Sequence, residues 1–306
     1  MIEEAKTMKI LLTGSTGFVG KQLLHDLIDN DYQVRCLVRQ GSENKITNYK
    51  DKNIDIVYGD TTDARSLDDT LKGCDAVINL VGIIREFPGK GVTFERLHYE
   101  GTANLVTAAR TQGIRRFIHM SALGARPQGK TQYQQTKFRA EEFVRDSGLD
   151  YTIFRPSIIF GPGDKFVNLF ANMLKTQQFV PVVGNGKYKM QPVALENVSS
   201  GFVKSIGQKN AIGKTFEIGG PEKMEFDKLI DIIGEVLCLP PYKIHIPAFI
   251  MRCMAEMFDW IPSFPITTEQ ITMLLEGNVC DERPFFEHFG IKPIGFKEGI
   301  SQYLQI

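Results

Sequence analysis

Tyr133 and Lys137 are the two residues whose types and spacing best suit chemistry in this chain. They lie four residues apart in a segment, residues 133–146, that is predicted to be helical, so their Cβ atoms share one helix face about 5–6 Å apart. A phenol has a pKa of about 10, which a nearby cation lowers, so we expect Tyr133 to give or take a proton at a carbonyl or alcohol. Ser121, which ends the strand predicted over residues 117–121, is the third candidate catalytic residue. Because Tyr-x-x-x-Lys is common by chance, its meaning depends on the elements around it.

A glycine-rich run, TGSTGFVG at residues 13–20, lies between a predicted strand, residues 8–12, and a predicted helix. A strand, a glycine turn and a helix in that order are typical of a dinucleotide-binding start. We expect Gly14 to allow the tight turn, Gly17 to let the backbone approach a pyrophosphate, and Gly20 to let helix and strand pack closely. The free N–H groups and partial positive charge at the helix start favour phosphate. The predicted contacts from this turn are Gly14, Thr16, Gly17, Phe18, Val19 and Gly20.

The end of the second predicted strand, residues 33–39, bears on the choice of cofactor. An acid there would bind the adenosine ribose diol and favour NAD(H). The chain instead has Arg39, which can make charge-assisted hydrogen bonds to a 2′-phosphate, with Ser42 and Lys45 close by in sequence. We therefore predict NADP(H), with NAD(H) and a solvated surface arginine as the alternatives.

Other strand ends supply further candidate contacts. Asp60 follows the third strand and fits a hydrogen bond to the adenine amine, although an ordinary turn aspartate fits the sequence nearly as well. Gly82 lets the backbone pass close to the cofactor ribose, and Lys137 is placed to orient the nicotinamide ribose. The remaining predicted cofactor contacts are Thr61, Leu80, Val81, Asn104, Tyr133, Pro156 and Ile158.

Apolar strands alternate with helices as far as residue 155. Strands are predicted over residues 8–12, 33–39, 54–58, 76–81, 117–121 and 151–155, with long helices over 92–112 and 133–146. This alternation predicts an α/β fold with a doubly wound parallel (Rossmann) sheet and a ligand at the carboxyl ends of its strands. Past Pro156 the alternation breaks. We predict a dinucleotide-binding domain over residues 1–160, to which the segment near 190–207 returns, and a smaller α+β substrate lobe over 161–306.

Composition excludes several classes of function. The 306 residues carry 36 basic and 36 acidic side chains, so no global charge favours nucleic acid. Five scattered cysteines without a Cys-x-x-Cys indicate reduced thiols and neither a disulfide frame nor a metal site. No apolar run reaches membrane-spanning length, and the acidic start lacks a signal core, with Met8 as an alternative first residue. We expect a cytoplasmic protein, or one bound peripherally to the inner face of the membrane.

Several motifs together resemble one family. They are the TGSTGFVG turn, NLVG at residues 79–82, HMSALGA at 119–125, RPSIIFGPGD at 155–164, QPV at 191–193 and PITTEQ at 265–270. The chain resembles the atypical extended short-chain dehydrogenases/reductases grouped around the NADPH-binding accessory subunit of respiratory complex I and its bacterial relatives.

This resemblance implies Tyr133 as acid/base and Lys137 as its partner, with an incomplete catalytic tetrad. Ala122 takes the place where an extended member keeps its hydroxyl, and Asn104 is the candidate to help where the usual strand-end asparagine is not secure. The implied functions are an NADP(H)-dependent oxidoreductase on an apolar, quinone-related substrate, or a non-catalytic nucleotide-binding accessory or assembly protein of complex I. A nucleoside-diphosphate-sugar epimerase is a weaker alternative. The expected partner is a small-molecule substrate or a respiratory-chain protein.

Residues 246–264 contain a methionine-rich apolar stripe. On a helix over 248–260 the stripe comprises Ile250, Met254, Met257, Phe258 and Ile261. The favoured interpretation is that it covers the core of the second lobe. The alternative is a surface for an apolar ligand, a partner or a membrane, with Trp260 near the helix end.

Overall fold

The computed structural model describes residues 8–46, 53–258, 261 and 264–304. The chain groups into two compact units. Unit 1 comprises Met1–Pro127, Thr136–Arg155 and Ser199–Phe216, and unit 2 comprises Gln128–Gln135, Pro156–Val198 and Glu217–Ile306. The assignment of residues 1–160 as a dinucleotide-binding domain and of residues 161–306 as a substrate lobe stays a prediction.

The strands are short and follow the predicted pattern closely as far as residue 156. They are β1 (Lys9–Thr13), β2 (Gln33–Val38), β3 (Ile54–Tyr58), β4 (Ala76–Asn79), β5 (Arg116–Met120), β6 (Asp150–Pro156), β7 (Ile159–Phe160), β8 (Phe179–Val183), β9 (Lys189–Met190), β10 (Val193–Ala194), β11 (Lys214–Ile218), β12 (Met224–Glu225) and β13 (Tyr242–Ile246).

The helices alternate with these strands. They are α1 (Phe18–Asp29), α2 (Gly101–Thr111), α3 (Gln132–Arg145), α4 (Val167–Gln177), α5 (Leu195–Gly207), α6 (Phe226–Leu237), α7 (Ala248–Phe258), α8 (Thr268–Glu276), α9 (Arg283–Phe289) and α10 (Phe296–Ser301). Short 3₁₀ turns lie at Glu43–Lys45, Ala64–Leu67, Pro88–Lys90 and Lys209–Ala211. The predicted long helix over 92–112 instead begins with a π-helical turn, Glu95–Glu100, which runs into α2.

A seven-stranded sheet in the order β11-β6-β5-β4-β1-β2-β3 confirms the predicted doubly wound fold. The pairs from β3 to β6 are parallel, so the ends of β1, β4 and β5 lie side by side at one edge. The central strands are buried on both faces, as their unbroken apolar runs require. Side chains of Leu11, Val77, Phe117 and Ile153 join one core cluster under the helices of unit 1. The segment near 190–207 forms mainly α5, and the strand that joins the sheet is β11, which follows it.

Unit 2 has its own core, built on α4, α6 and α10 around Phe160, Phe170 and Phe226. The rings of Phe170 and Phe226 pack edge to face with centroids 5.4 Å apart. Aromatic residues after Pro156 therefore supply core side chains of unit 2.

The apolar stripe of α7 faces outward, so the expectation that it covers a core was wrong for most of it. Ile250, Met254 and Met257 are 39%, 38% and 66% exposed, and α7 buries Met251 and Ala255 instead, against Ile271 of α8. The two faces of α7 are both apolar, so periodicity alone did not distinguish them. Trp260 lies outside the described residues.

A candidate nucleotide site at the strand ends

The glycine turn has the geometry that its spacing predicted. Gly14 has a φ of +73°, and the N–H of Gly17 donates to the Gly14 carbonyl over 2.9 Å. A Cβ on Gly20 would lie only 2.1 Å from that same carbonyl oxygen, so only glycine lets α1 approach the turn. Helix α1 begins at Phe18 after its N-cap residue, Gly17, and has no acid in its first turn. The turn therefore presents an uncapped, unopposed helix N-terminus, which suits a pyrophosphate.

Asn79 joins the ends of β1 and β4, a role that the sequence analysis did not assign. Its Oδ1 accepts hydrogen bonds from Thr13 Oγ1 over 2.8 Å and from the Val81 N–H over 3.2 Å. The Leu80 N–H donates to Thr13 Oγ1 over 3.3 Å. These bonds fix the backbone of the predicted contacts Leu80, Val81 and Gly82. The only sequence signal was a single amide side chain ending an apolar strand.

Lys137 is held beneath this backbone. It is 3% exposed, and its Nζ donates to the Met120 carbonyl at the end of β5 over 3.1 Å. A Cβ on Gly82 would lie 2.9 Å from Lys137 Nζ, so a glycine is needed where the strand passes the ammonium group. His98, from the π-helical turn, supports the same region: its Nδ1 is 3.1 Å from Thr136 Oγ1 and its Nε2 is 3.1 Å from the Ile83 carbonyl. The extra residue of a π-helical turn is a feature often found at functional sites.

Burial shifts the pKa values of Lys137 and Tyr133, the candidate catalytic pair, in the direction of the neutral forms. It lowers the pKa of Lys137 to about 8, against an opposing effect of the Glu141 carboxylate. Burial also raises the pKa of Tyr133 to about 12, so the expectation that the cation lowers the phenol pKa was wrong. Burial is the cause of the Tyr133 shift, because the loss of water disfavours the charged phenolate.

Two buried polar atoms at the end of β5 have no hydrogen-bond partner among the described residues. They are Ser121 Oγ and His119 Nε2. The Nδ1 of His119 lies 3.3 Å from the Asn79 amide nitrogen and accepts from it, which leaves the proton of the neutral ring on Nε2. Burial, with Lys137 as a further cause, holds the pKa of His119 well below its usual value. Unsatisfied buried hydroxyls are rare in folded proteins, so Ser121 is fit to bind a ligand oxygen.

Arg39 and Asp60 lie at neighbouring strand ends, past β2 and β3. The Arg39 side chain is exposed and has no hydrogen bond or ion pair within the described part of the chain. Asp60 Oδ1 accepts from both the N–H and the hydroxyl of Thr62 over 2.9 Å, which is an ordinary turn contact. Asn104 Nδ2 donates to the Thr61 carbonyl over 2.9 Å and so anchors this loop, and its role as a substitute for the strand-end asparagine stays a prediction.

The three predicted cofactor contacts in unit 2, Tyr133, Pro156 and Ile158, have different surroundings. Tyr133 lies in the first turn of α3, one helical turn before Lys137, and its N–H donates to Glu269 Oε2 over 3.3 Å. Pro156 ends β6 and is buried, while Ile158 packs partly against the core of unit 2. Ile158 therefore has a packing role whether or not it also touches a cofactor.

A comparison with protein families identifies the fold and its ligand class. A family model described as NAD(P)H-binding matches residues 14–166. The mouse (Mus musculus) protein named NADH dehydrogenase (ubiquinone) 1 alpha subcomplex subunit 9, mitochondrial, is 30% identical over 297 residues, which are 92% of this chain and 75% of that protein. The chain belongs to the NAD(P)H-binding family. Its resemblance to the atypical extended short-chain dehydrogenases/reductases around that complex I subunit is confirmed.

Two further relatives of this NAD(P)H-binding protein are informative. A ceramide reductase of Caulobacter vibrioides is 34% identical over 155 residues, 51% of this chain and 47% of that protein. A dTDP-glucose 4,6-dehydratase from Streptomyces venezuelae, whose structure contains NAD, superimposes with a TM-score of 0.75 and 20% identity over 96% of this chain and 95% of that one. At that identity the superposition shows the shared fold alone.

The residues present fit a nicotinamide dinucleotide. Gly14, Gly20 and Gly82 let the turn, α1 and the backbone after β4 pack closely together, and α1 offers its N-terminus without a competing acid. A bound nicotinamide supplies the electron pair for an oxidation or reduction. Among the described residues, no cluster of His, Cys, Asp or Glu side chains could hold a metal ion, and no helix is long and apolar enough to cross a membrane.

Proposed function

We propose that this protein is an NADP(H)-dependent reductase that acts on the carbonyl group of an apolar, quinone-related or lipid-like substrate. The observation that carries the proposal is the buried Lys137, with its pKa lowered to about 8, one helical turn from Tyr133 on α3. Lys137 is then a mostly protonated ammonium group at neutral pH, held by a backbone carbonyl, and it can donate a hydrogen bond to a ribose hydroxyl.

The state of Tyr133 favours reduction over oxidation. With its pKa raised by burial to about 12, the phenol is protonated at neutral pH. A protonated phenol can give a proton to the oxygen of a carbonyl that is being reduced. It is a poor base for an alcohol, which an epimerase or a dehydrogenase must deprotonate. The Ser121 hydroxyl, which lacks a partner among the described residues, supports a role in holding that carbonyl oxygen.

Two observations bear on the chemical class of the substrate. The Caulobacter relative is named as a reductase of ceramide, a lipid, and it matches half of this chain. The second unit offers no cluster of arginines for a sugar diphosphate in its sequence, which counts against an epimerase. An apolar carbonyl compound is therefore the substrate to test first.

The test of catalysis is a screen of quinones and long-chain ketones with NADPH, following nicotinamide absorbance. We expect oxidation of NADPH by at least one compound, and Tyr133→Phe should reduce the rate by about 10²-fold or more while NADPH affinity stays within about twofold. A control variant, Tyr99→Phe, removes another phenol away from the first turn of α3. Equal rates for Tyr133→Phe and the unaltered protein would show that this tyrosine is not the proton donor.

The cofactor preference has a separate test based on Arg39. A charge-assisted hydrogen bond from an exposed guanidinium to a 2′-phosphate contributes about 1.5–3 kcal/mol, so NADPH should bind about 10- to 100-fold more tightly than NADH. Arg39→Glu should reverse this order, and Arg252→Glu, at an exposed position of α7, should not change it. Equal affinities of the two nucleotides in calorimetry would contradict the preference for NADP(H).

A second candidate function is a non-catalytic accessory or assembly protein of the respiratory chain, cytoplasmic or bound at the inner face of the membrane. The observation that favours it is Ala122, which follows Ser121 where an extended family member keeps its hydroxyl. The mouse relative is named as a subunit of NADH dehydrogenase. An accessory protein would retain NADPH through purification and oxidise it with none of the compounds in the screen.

A further inference from the structure

Helix α8 holds the start of α3 with two carboxylates. Glu269 Oε1 accepts from the Gln132 N–H over 2.8 Å, and its Oε2 accepts from the Tyr133 N–H over 3.3 Å. At the other end of α8, Glu276 Oε2 accepts from Gln134 Nε2 over 2.8 Å. The Lys130 Nζ forms an ion pair with Glu276 Oε1 over 3.1 Å. All of these residues belong to unit 2.

The first three N–H groups of α3 donate to two different side chains, the Glu269 carboxylate and the Thr131 hydroxyl. The third belongs to Gln134 and donates to Thr131 Oγ1, while Gln134 Oε1 accepts in return from the Thr131 N–H, which is a capping box. A capping box leaves the first two N–H groups without a partner, and Glu269 takes both of them. Since Tyr133 is the second residue of α3, the carboxylate of Glu269 binds the backbone of the residue that carries the phenol.

The same carboxylate lies in the first turn of α8, which has its own capping box between Thr267 and Gln270. One negative charge therefore opposes the positive ends of two helices. An unopposed helix N-terminus would stabilise a phenolate on its first turn, because the end of a helix carries about half a positive charge. The Glu269 carboxylate offsets that field at the start of α3, in addition to the burial that raises the pKa of the Tyr133 phenol.

We infer that Glu269 is a positioning residue for Tyr133, which fixes the backbone of the phenol and maintains its proton. The motif around Glu269, PITTEQ at residues 265–270, otherwise has no role in the proposed function. The functional consequence rests on the proposed reductase activity, whereas the contact and its effect on the Tyr133 phenol can be measured without any substrate.

The experiment compares Glu269→Gln with Glu269→Asp and with Glu256→Gln, an exposed carboxylate on α7. Glu269→Gln preserves the volume but removes the charge and one acceptor. In Glu269→Gln, the amide hydrogen exchange rates measured by NMR should rise about 10-fold or more at Gln132 and Tyr133. The rate at Ile118, in the buried centre of β5, should not change. A merely structural loss of stability would raise exchange at Ile118 as well. Glu256→Gln should change neither.

The phenol is followed by ¹³C NMR of labelled tyrosine, with the Tyr133 signal assigned by its absence in Tyr133→Phe. The Tyr133 pKa should fall by about 0.5 unit in Glu269→Gln, in accord with the size of helix-end effects, and should be restored at least in part by Glu269→Asp. An unchanged pKa together with unchanged exchange at Gln132 and Tyr133 would overturn the inference.

Activity separates this inference from the proposed function. If Tyr133→Phe abolishes turnover of a compound found in the screen, Glu269→Gln should lower kcat about 10-fold with KM and NADPH affinity unchanged, and an unaltered kcat would overturn the positioning role. If Tyr133→Phe and the unaltered protein turn over alike, the proposed function fails, and the exchange and pKa measurements still decide whether Glu269 acts on Tyr133.

Discussion

Helix α3 buries two opposite charges four residues apart, and their surroundings differ. Lys137 is held by one neutral group, the Met120 carbonyl. Glu141, with no exposed surface, accepts hydrogen bonds from Arg155 over 2.8 and 2.6 Å and from Arg145 over 2.6 Å. The carboxylate is thus paired with two guanidinium groups, whereas no anion within the described part of the chain is bonded to the ammonium group.

The difference distinguishes a charge that is fixed by its partners from one whose protonation can change. A buried charge with full partners is expensive to disrupt and has little freedom to change its protonation. A buried charge without a bonded counter-ion moves its pKa toward neutrality, as Lys137 does, and groups with such pKa values concentrate at functional sites. On one helix face, the Glu141 cluster therefore fixes α3 to β6, and Lys137 stays available to a ligand.

The largest expected effect comes from removing the paired anion. Glu141→Ala leaves two guanidinium groups without their carboxylate and should lower the free energy of unfolding by about 3–5 kcal/mol, measured by urea denaturation. Glu142→Ala is the matched control: Glu142 is exposed and also pairs with Arg145, so its loss should cost at most about 1 kcal/mol. Equal effects of the two variants would show that burial does not distinguish them.

Lys137→Met should raise the free energy of unfolding at neutral pH, whereas Glu141→Ala should lower it. With a folded-state pKa of about 8 against 10.5 when unfolded, the unfolded chain binds more protons between these values, so the stability of the unaltered protein should rise with pH from about 8 to 10. The variant lacks this rise and should be more stable at pH 7, by up to about 3 kcal/mol. NADPH affinity should fall at the same time. A parallel pH dependence in both proteins would contradict a desolvated Lys137, and Lys209→Met, at an exposed position, is the control.

The smallest effect tests the space above the ammonium group. Gly82→Ala places a Cβ 2.9 Å from Lys137 Nζ, which must move away from the Met120 carbonyl. The cost should be about 1 kcal/mol in stability, the value of one hydrogen bond, and NADPH affinity should fall several-fold. Gly89→Ala meets no atom within 4 Å and should change neither quantity. If the two variants behave alike, the close approach at Gly82 is unimportant.

Much of unit 1 could be predicted from the sequence because its signals are local. An apolar run predicted the strand over residues 76–81, which forms β4 at Ala76–Asn79, and the helix predicted over residues 133–146 forms α3 at Gln132–Arg145. Other features depend on residues far apart in the chain. The π-helical turn at Glu95–Glu100 contains His98, which contacts Ile83 and Thr136. No local sequence pattern predicts this turn. The exposed face of α7 was missed because α8 covers only one of its two apolar faces.

The sequence by itself determined the glycine turn, the parallel sheet and the position of Tyr133 one turn before Lys137. These follow from the conformational freedom of Gly14, from apolar periodicity and from helix geometry, each a property of neighbouring residues. Only the tertiary structure decided that the phenol stays protonated while the amine titrates near neutrality. A pKa in a folded protein depends on the water removed by every segment packed around the group, and in this chain those segments come from strands and helices distant in sequence.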